Sequence, residues 1–427
     1  MHQMRGGDFV YLVQSNYIRR LPKEQFEALV QMCRYANSLY NVALYNIRQF
    51  YFNEKKYLSY ESNYPFCKEN ENYRMLQAGV AQQTLKVADR NFKSFFALLK
   101  KAKKGEYNFS EIEIPHYHKK GGLMTLVLST NAINIKDGYI TIPISRAFNK
   151  HYSGGKIRVP FPEHLADKTI KEVRIVPLHD GRCFKVQYVY EAAFEPVDVD
   201  PNNKLSIDLG VDNLAACIST LGTSFLVDGR KLKSINQGWN KRKAYLQARA
   251  DEQGLKTTKR LDRIADKRNN QVKDAMRKAA RHIVNHCIDN RIGTMVVGYN
   301  PEIKRRMYMG KRNNQTFAYI SFGDFRQQLQ CLCERYGIAY IEQEESYTSK
   351  ASFLDLDDIP VYQPGEHSGV KFSGRRVHRG LYKSKNGLIV NADLNGAANI
   401  LRKSKQNFDY EKLCSGLLAS PCRVRLF

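Results

Sequence analysis

The sequence predicts a multidomain α+β protein, and three changes of pattern along its 427 residues carry that prediction. Apolar residues recur with helical spacing from residue 21 to about residue 104. Between residue 107 and about residue 191, short apolar runs are separated by Gly, Pro and Asp, as in antiparallel sheets. After residue 198, strands alternate with long helical stretches, as in α/β domains. A chain of this length can hold two or three domains.

The charge balance points to a polyanionic partner. Lys and Arg total 68 against 42 Asp and Glu, an excess of 26, and 26 Tyr and 21 Phe are spread among them. Such an excess repels itself unless a polyanion lies close, so we expect nucleic-acid binding. The sequence has no long apolar run, amphipathic anchor or secretory signal, so we expect no membrane association. The nine scattered Cys fit reduced thiols, and we expect a cytoplasmic, nucleoid-associated protein.

The helical block follows a predicted strand at Val10–Ile18 and begins near Leu21. Its apolar stripes have the spacing of core residues. Its polar face offers amides and a cation that suit the edges of adenine and guanine, although a solvated helix face is an equally good interpretation. The candidates for base contacts are Gln77, Gln82, Gln83 and Lys86.

The strand-rich block fits an antiparallel barrel or sandwich. Three of its lysines are candidate phosphate contacts, which would position a nucleic acid without reading its sequence: Lys119, Lys120 and Lys156. The segment Glu195–Pro201 has the composition of a stiff polar linker and predicts the main domain boundary.

Two isolated carboxylates are embedded in apolar segments. Asp208 lies in a predicted strand, "LSIDLGVDNLAA", before a turn at Gly210, and Asp393 lies at the start of a helical segment, "VNADLNGAANI". They are 393 − 208 = 185 residues apart. An Asp inside an apolar element is costly to bury unless it is paired or binds a cation. The pair therefore predicts one divalent-metal site that is assembled by folding.

These two segments resemble the first and third motifs of a RuvC-type, RNase H-like nuclease domain. Their amino-acid sequences are similar to those of the TnpB family of transposon-encoded RNA-guided DNA endonucleases, which are relatives of the type V CRISPR effectors. The resemblance implies a β-barrel wedge domain with an inserted helical recognition domain, followed by a RuvC-like α/β domain. The implied ranges are 1–20 and 106–197 for the wedge, 21–105 for recognition, 198–345 and 390–410 for the RuvC-like domain, 346–389 for an insert in place of the target-nucleic-acid-binding zinc finger, and 411–427 for a tail.

The resemblance also implies an RNA-guided DNA endonuclease of a transposable element. Its cofactors would be two Mg²⁺ ions, which activate a water and stabilise the leaving oxygen during phosphodiester hydrolysis. Its partners would be a guide RNA transcribed from the end of the mobile element and a double-stranded target DNA. Base pairing would read the target, and the protein would read a short flanking motif. One protein per guide is favoured.

The third catalytic carboxylate departs from the family pattern. The strand Gly293–Asn300 usually ends in a catalytic Glu, and Gly298 stands at that place here. The next predicted strand ends in a carboxylate cluster before "Thr-Ser-Lys", where some relatives carry a displaced Glu. Glu345 fits that place best, and Glu344, on the opposite face of a regular strand, is the second choice. The resemblance then implies that Asp208, Glu345 and Asp393 hold the Mg²⁺ ions.

The zinc finger of the family is also missing. Residues 351–391 contain no Cys, and Cys331 and Cys333 have the wrong spacing, so we expect no structural zinc. A basic turn stands in that region and would guide a DNA strand to the carboxylates, with a plain surface loop as the alternative: Arg375, Arg376 and Arg379.

A long basic region lies between Asp208 and Gly298. From Lys231 to Lys278, Lys or Arg recurs at nearly every third position. Because this region abuts the metal motif, we favour contacts with the backbone of a guide–target duplex over a merely solvated face. The candidates are Lys231, Trp239, Lys267, Arg268, Lys273 and Arg277. His282 and His286 beside Cys287 are interpreted as helix packing rather than a metal cluster.

Two other functions compete with cleavage. An RNA-guided DNA-binding protein without nuclease activity would explain Gly298, while Asp208 and Asp393 count against it. An unguided structure-specific nuclease or a transposase is disfavoured, because RuvC-like resolvases need no large helical and wedge regions before the first Asp.

We predict that the purified protein carries RNA and binds it in a strongly salt-dependent way. Neutralising phosphates releases counterions, so about 6–10 phosphate contacts would lower the affinity roughly 10³–10⁵-fold between about 50 and 200 mM salt. Filter binding over that salt range measures the slope. An RNA-free preparation from cells that transcribe the flanking element would contradict the prediction.

Overall fold

The computed structural model describes residues 9–300, 320–361, 369–378 and 380–427. The chain divides into two compact units, Met1–Ala192 and Ala193–Phe427. Both contain helices and strands, so the mixed α+β class is confirmed. No described helix is long and apolar enough to cross a membrane.

The first unit contains a group of helices with one shared core. The long helix α1 buries Leu29, Cys33, Ala36 and Leu44, which recur at helical spacing along one side. The helix ends where Lys55 adopts a left-handed conformation (φ 53°) and donates its N–H to Tyr51 O. The helices of this unit are α1 (Lys23–Glu54), α2 (Tyr60–Lys68), α3 (Glu71–Arg74), α4 (Ala78–Lys103) and α5 (Arg146–Asn149).

The strands of the first unit form two sheets. Strands β6 and β7 pair antiparallel and alternate buried with more exposed residues, the pattern of a sheet with one face on a core. One sheet has the order β1-β7-β6-β2 and the other has the order β3-β4-β5. The strands are β1 (Phe9–Ile18), β2 (Leu126–Ser129), β3 (Asn134–Lys136), β4 (Tyr139–Thr141), β5 (Arg158–Pro160), β6 (Ile170–Leu178) and β7 (Cys183–Ala193).

The second unit is organised on a six-stranded mixed sheet with the order β12-β11-β8-β9-β10-β16. Strands β8, β9 and β10 form an antiparallel meander, whereas β11 runs parallel to both β8 and β12, and β16 runs parallel to β10. A small sheet has the order β13-β14-β15. The strands are β8 (Asp200–Leu209), β9 (Asn213–Ser219), β10 (Ser224–Asp228), β11 (Ile292–Tyr299), β12 (Ala339–Glu344), β13 (Arg375–His378), β14 (Leu381–Lys383), β15 (Ile389–Asn391) and β16 (Cys422–Val424).

Helices cover both faces of the six-stranded sheet. One core joins α7 and α8 to Leu205 and Ile207, and the other joins α9 and α10 to Val296 and Ile218. Since side chains alternate along a strand, this division places Asp208 and Gly298 on the face covered by α9. The helices are α6 (Arg230–Asp251), α7 (Lys259–Asp289), α8 (Phe322–Tyr336), α9 (Ala392–Lys403) and α10 (Tyr410–Leu418).

Two parts of the chain differ from the sequence-based expectation. The predicted linker, residues 195–201, lies within the second unit: Glu195 N donates to Arg335 O at 3.0 Å, and β8 already begins at Asp200. Residues 411–427, expected to be a separate tail, contribute most of α10 and the edge strand β16 to this unit. As interpreted from the sequence, His282 and His286 pack against another side chain, the ring of Phe225, with centroids at 5.7 and 4.7 Å.

Candidate active site

Asp208 is delivered by the central strand of the sheet. It is the penultimate residue of β8 and is paired with Ala216 of β9. Its carboxylate packs against Gly396 of α9, where a Cβ atom would lie 2.6 Å from Asp208 Oδ2. The preceding Ser206, on the same face, donates its hydroxyl to Ala397 O at 2.7 Å and holds the helix against the strand.

Asp393 lies in the first turn of α9. The side chain of Asn391 caps this helix by accepting hydrogen bonds from the N–H groups of Asp393 and Leu394. Asp393 accepts hydrogen bonds at both carboxylate oxygens, from Asn213 Nδ2 at 2.7 Å and from Arg376 Nη2 at 3.2 Å. The helix cap thus fixes the backbone of Asp393, and two side chains from other elements fix its carboxylate.

Glu345 occupies the space that a side chain at position 298 would fill. It follows β12 directly, and its N–H donates to Tyr299 O at 3.2 Å. A Cβ atom on Gly298 would lie 2.6 Å from Glu345 Oε2 and 2.6 Å from Ile400 Cδ1. The strand that lacks the expected carboxylate therefore leaves room for the carboxylate of the neighbouring strand.

Glu344 has a different environment. Lys403 Nζ, at the end of α9, donates to Glu344 Oε2 at 2.6 Å and to Ser346 O at 2.9 Å. The N–H of Ser346 donates to Glu344 Oε1 at 2.6 Å. This carboxylate is engaged by a buried ammonium group and by its own turn.

The turn after Glu345 is held by the helix that carries Asp393. Asn399 Nδ2 donates to Thr348 O at 2.9 Å and to Ala351 O at 2.7 Å, and Asn395 Nδ2 donates to Ala351 O at 2.8 Å. Both asparagines are buried. The spacing of Asp393, Asn395 and Asn399 on α9 therefore couples two of the three carboxylates.

The carboxylates influence one another electrostatically. Burial raises the pKa of Asp208 well above its usual range, and the nearby charges of Glu345 and Asp393 raise it further, while Arg376 opposes this. Burial and the charge of Glu344 raise the pKa of Glu345 to about 7, while Arg326 and Lys403 lower it. Asp208 thus lies within electrostatic reach of both Glu345 and Asp393.

The donor set fits a hard divalent cation. Mg²⁺ prefers carboxylate oxygen ligands, and the carboxylates of Glu345 and Asp393 lie within electrostatic reach of Asp208. Gly298 and Gly396 remove the two side chains that would otherwise fill the space beside Glu345 and Asp208. Asp208, Glu345 and Asp393 are the residues that would hold the ions.

The predicted contacts of the basic region lie on a helical hairpin formed by α6 and α7. Lys231, Lys267, Lys273 and Arg277 are exposed. Trp239 is half-buried and has two cations over its ring, with Lys243 Nζ at 5.2 Å and the Arg268 guanidinium at 5.4 Å from the centroid. The Arg268 guanidinium also donates to Asn236 Oδ1 at 2.7 Å, so Trp239 and Arg268 help to join the two helices.

Of the residues of the first unit that are predicted to contact nucleic acid, some make contacts within the protein and others are exposed. Gln77 caps α4, because its Oε1 accepts from Val80 N at 3.2 Å, and its contact with bases stays a prediction. Gln82 and Gln83 are half-buried. Lys86 Nζ lies 5.1 Å from the centroid of the Tyr60 ring. The exposed lysines are Lys119, Lys120 and Lys156.

An open cavity of about 450 Å³ adjoins the carboxylates. Three cations and two aromatic rings line it, together with Ser349 and Gly374: Lys350, Arg375, Arg376, Phe372 and Tyr382. Arg376 links this cavity to the candidate site, because its guanidinium also contacts Asp393. Arg379 lies outside the described residues.

Sequence reasoning missed the residues that support the carboxylates. Asn213, Asn395 and Asn399 stand inside the two recognised segments, where a buried amide in an apolar run is a usable signal. Lys403 and Arg376 could not be assigned in this way, since their partners are set by the packing of α9 and β13.

Two family models match the second unit and the end of the first. A model described as "Probable transposase" (OrfB_IS605) matches residues 187–304, and one described as "Cas12f1-like, TNB domain" matches residues 322–400. The TnpB-like protein ORF457 of Acidianus two-tailed virus is 23% identical over 418 residues, covering 91% of this chain and 86% of the relative. The chain is thus similar to TnpB-type proteins.

The fold of this chain is also found among solved structures. The cryo-EM structure of a Cas12f1–sgRNA–target DNA complex superimposes with a TM-score of 0.57 at 15% identity, covering 89% of this chain and 83% of that chain. At this identity the likeness concerns the fold. The likeness extends over both compact units of the chain, because neither unit alone makes up the 89% of the chain that is covered.

We predict that Gly298→Ala weakens metal binding and also lowers the free energy of unfolding. The added methyl group forces away the ends of two flexible side chains, Glu345 and Ile400, at an overpacking cost of about 1–3 kcal/mol. The gain in melting temperature on adding Mg²⁺ should be smaller than in the parent. Gly238→Ala on α6 is the matched control, because its Cβ would have no atom within 4 Å. Equal gains in both variants would contradict the prediction.

Proposed function

We propose that the chain is an RNA-guided DNA endonuclease of a transposable element, with Mg²⁺-dependent phosphodiester hydrolysis at a RuvC-like, RNase H-like site. The observation that carries the proposal is the carboxylate of Glu345 in the space beside Gly298, close enough to Asp208 to raise its pKa. Carboxyl groups that are held close together either take up protons or bind a cation, and their oxygen donors suit a hard divalent cation. The TnpB-type relationship supports the nuclease class.

Each carboxylate has a distinct support in this proposal. The bound Mg²⁺ ions would supply an activated water and a charge at the leaving oxygen. Asp208 on the rigid central strand and Asp393 on the capped helix would hold opposite sides of the site. Glu345 would close it from the neighbouring strand, with Lys403 neutralising Glu344 so that only one of the two adjacent glutamates faces the ions.

The guide RNA and the target DNA would contact the basic surfaces. The relative of known structure was solved with an sgRNA and target DNA, which supports nucleic acids of these kinds as partners. We propose that the exposed cations of the hairpin formed by α6 and α7 follow the phosphates of the guide–target duplex. In the first unit, the helices would form the recognition domain and the two sheets the wedge, as the resemblance implies.

The strand to be cut would cross the cavity beside the carboxylates. Lys350, Arg375 and Arg376 offer three charges to phosphates, and Phe372 and Tyr382 offer faces or edges of rings to unstacked bases. Arg376 spans the cavity and the site, because its guanidinium contacts Asp393. This region would take the place of the absent zinc finger in directing single-stranded DNA.

An RNA-guided DNA-binding protein without cleavage is the second candidate. Gly298 favours it, since the usual carboxylate of that strand is missing. The position of Glu345 weighs against it, because a non-cleaving descendant has no need to keep three carboxylates clustered.

We predict that Glu345→Gln, Asp208→Asn and Asp393→Asn each lower the rate of guided cleavage by at least about a hundredfold. Partners of metal ligands alone cost about 10–100-fold when removed, so a direct ligand should cost more. Guided DNA binding should persist, because these residues do not read the target. Cleavage of a matching duplex by the purified RNA complex measures the rates, and gel shift measures the binding.

Glu344→Gln is the matched control for Glu345→Gln. It keeps an acceptor for Lys403 and should cost about 1–3 kcal/mol of unfolding free energy while the complex still cuts. If Glu345→Gln cuts like the parent, the displaced-carboxylate assignment fails. If the parent complex binds its target and does not cut, the non-cleaving function replaces this one.

A further prediction concerns the cavity. Arg375→Gln combined with Lys350→Gln should weaken strand binding and cleavage most at low salt, because it should reduce the salt dependence of strand binding by about one phosphate contact per residue. Lys412→Gln, an exposed lysine of α10, is the control. Unchanged binding of a single-stranded DNA in the double variant would show that the strand does not use this cavity.

A further inference from the structure

The edge strand β16 is connected to a carboxylate of the candidate site. Arg423, in the middle of β16, is paired with Leu226 of β10. Its Nη1 donates to Asn213 Oδ1 at 2.6 Å. Asn213 Nδ2 in turn donates to Asp393 Oδ2 at 2.7 Å. One side chain therefore stands between the C-terminal strand and the carboxylate.

The arginine decides which way the amide of Asn213 faces. A guanidinium group can only donate hydrogen bonds, and an ionised carboxylate can only accept them. With Arg423 on one side, the amide oxygen must face the arginine, so the amide nitrogen faces Asp393. In the reversed orientation, the amide nitrogen would face the guanidinium, so that two donors meet, and the amide oxygen would face the carboxylate, so that two acceptors meet.

The surroundings of Asn213 restrict other arrangements. Asn213 begins β9, is paired with Asp228 of β10, and is only 8% exposed. Because its amide is neutral and donates to a single oxygen of Asp393, it leaves the remaining lone pairs of the carboxylate for a metal ion. The other oxygen of Asp393 meets Arg376 instead.

We propose that Arg423, acting through Asn213, orients the carboxylate of Asp393 for metal binding. Arg423 is a positioning residue, and the proposal rests on the proposed function in taking the ion to be Mg²⁺. It gives a task to residues 411–427, for which the sequence suggested none. It also requires β16 to be in place on the sheet for tight metal binding.

The residue that directly follows β16 offers a matched control. Arg425 lies two residues further on and has a similar exposed charge, but its Nε faces Asp228 at 3.8 Å rather than Asn213. Asp228 keeps a second partner in Arg230, whose Nε donates to it at 3.0 Å. Loss of Arg425 thus removes a charge next to β16, while the amide of Asn213 keeps its hydrogen bond from Arg423.

The test places Fe²⁺ in the site of the RNA-bound protein. Ascorbate and peroxide then produce hydroxyl radicals that cut the backbone beside the ion, so fragments ending near residues 208 and 393 report this site and not ions bound to RNA. The Fe²⁺ concentration for half-maximal cutting should rise about tenfold in Arg423→Gln. It should stay at the parent value in Arg425→Gln and recover in part in Arg423→Lys.

Asn213→Ala should raise the half-maximal Fe²⁺ concentration as much as Arg423→Gln, and the double variant should be no worse than Asn213→Ala, because both act through one amide. Should Arg423→Gln fail to fold, as judged by circular dichroism, Asn213→Ala carries the same comparison. Parent-like Fe²⁺ dependence of Asn213→Ala, equal effects of Arg423→Gln and Arg425→Gln, or additive effects in the double variant would overturn the proposal. A parent complex that binds Fe²⁺ at these residues and does not cut DNA would contradict the proposed function alone.

Discussion

The mutual repulsion of three carboxylates at one end of the sheet is the constraint to which the second unit is fitted. Asp208, Glu345 and Asp393 come from three elements, and each is held by contacts that do not neutralise it fully: a glycine on α9, a glycine on β11, and two hydrogen bonds at the helix start. Burial disfavours ionisation of Asp208, and the like charges of Glu345 and Asp393 add to this, which is why its pKa is raised. Arg376 opposes this effect at Asp208, and Arg326 and Lys403 oppose it at Glu345.

Much of this site is readable from local sequence, and the rest depends on pairing between distant segments. Asp208 and Asp393 were found because each stands in an apolar element whose type is set by a few neighbouring residues. The choice of Glu345 over Glu344 needed the two-residue period of a strand, and β12 ends just before it. The contact between Glu345 and Gly298 could not be predicted from the sequence, since it exists only when β11 and β12 pair in one register.

Other differences have the same origin. A glutamine on a helix face and a glutamine that caps a helix look alike in sequence, so Gln77 was assigned to bases although its oxygen accepts from Val80 N. Strand β16 spans three residues and has too short a pattern to signal a strand; its pairing with β10, almost two hundred residues upstream, defines it. Trp239 and Arg268 were assigned to nucleic acid by composition, and the structure gives both a place in the packing of α6 on α7.

The space shared by positions 298 and 345 has an evolutionary consequence. A Cβ atom at position 298 would lie 2.6 Å from Glu345 Oε2, so a side chain on one strand and the carboxylate from the other cannot occupy this place together. A lineage that moved the carboxylate between the strands would have to pass through an ancestor with a small residue at 298, and that ancestor either lacked the third carboxylate or already carried Glu345. The form of the site with a carboxylate at position 298 and the form with Glu345 are then separate adaptive states. Recombination between their genes inside residues 299–344 would yield proteins with a carboxylate at both positions, which conflict, or at neither position.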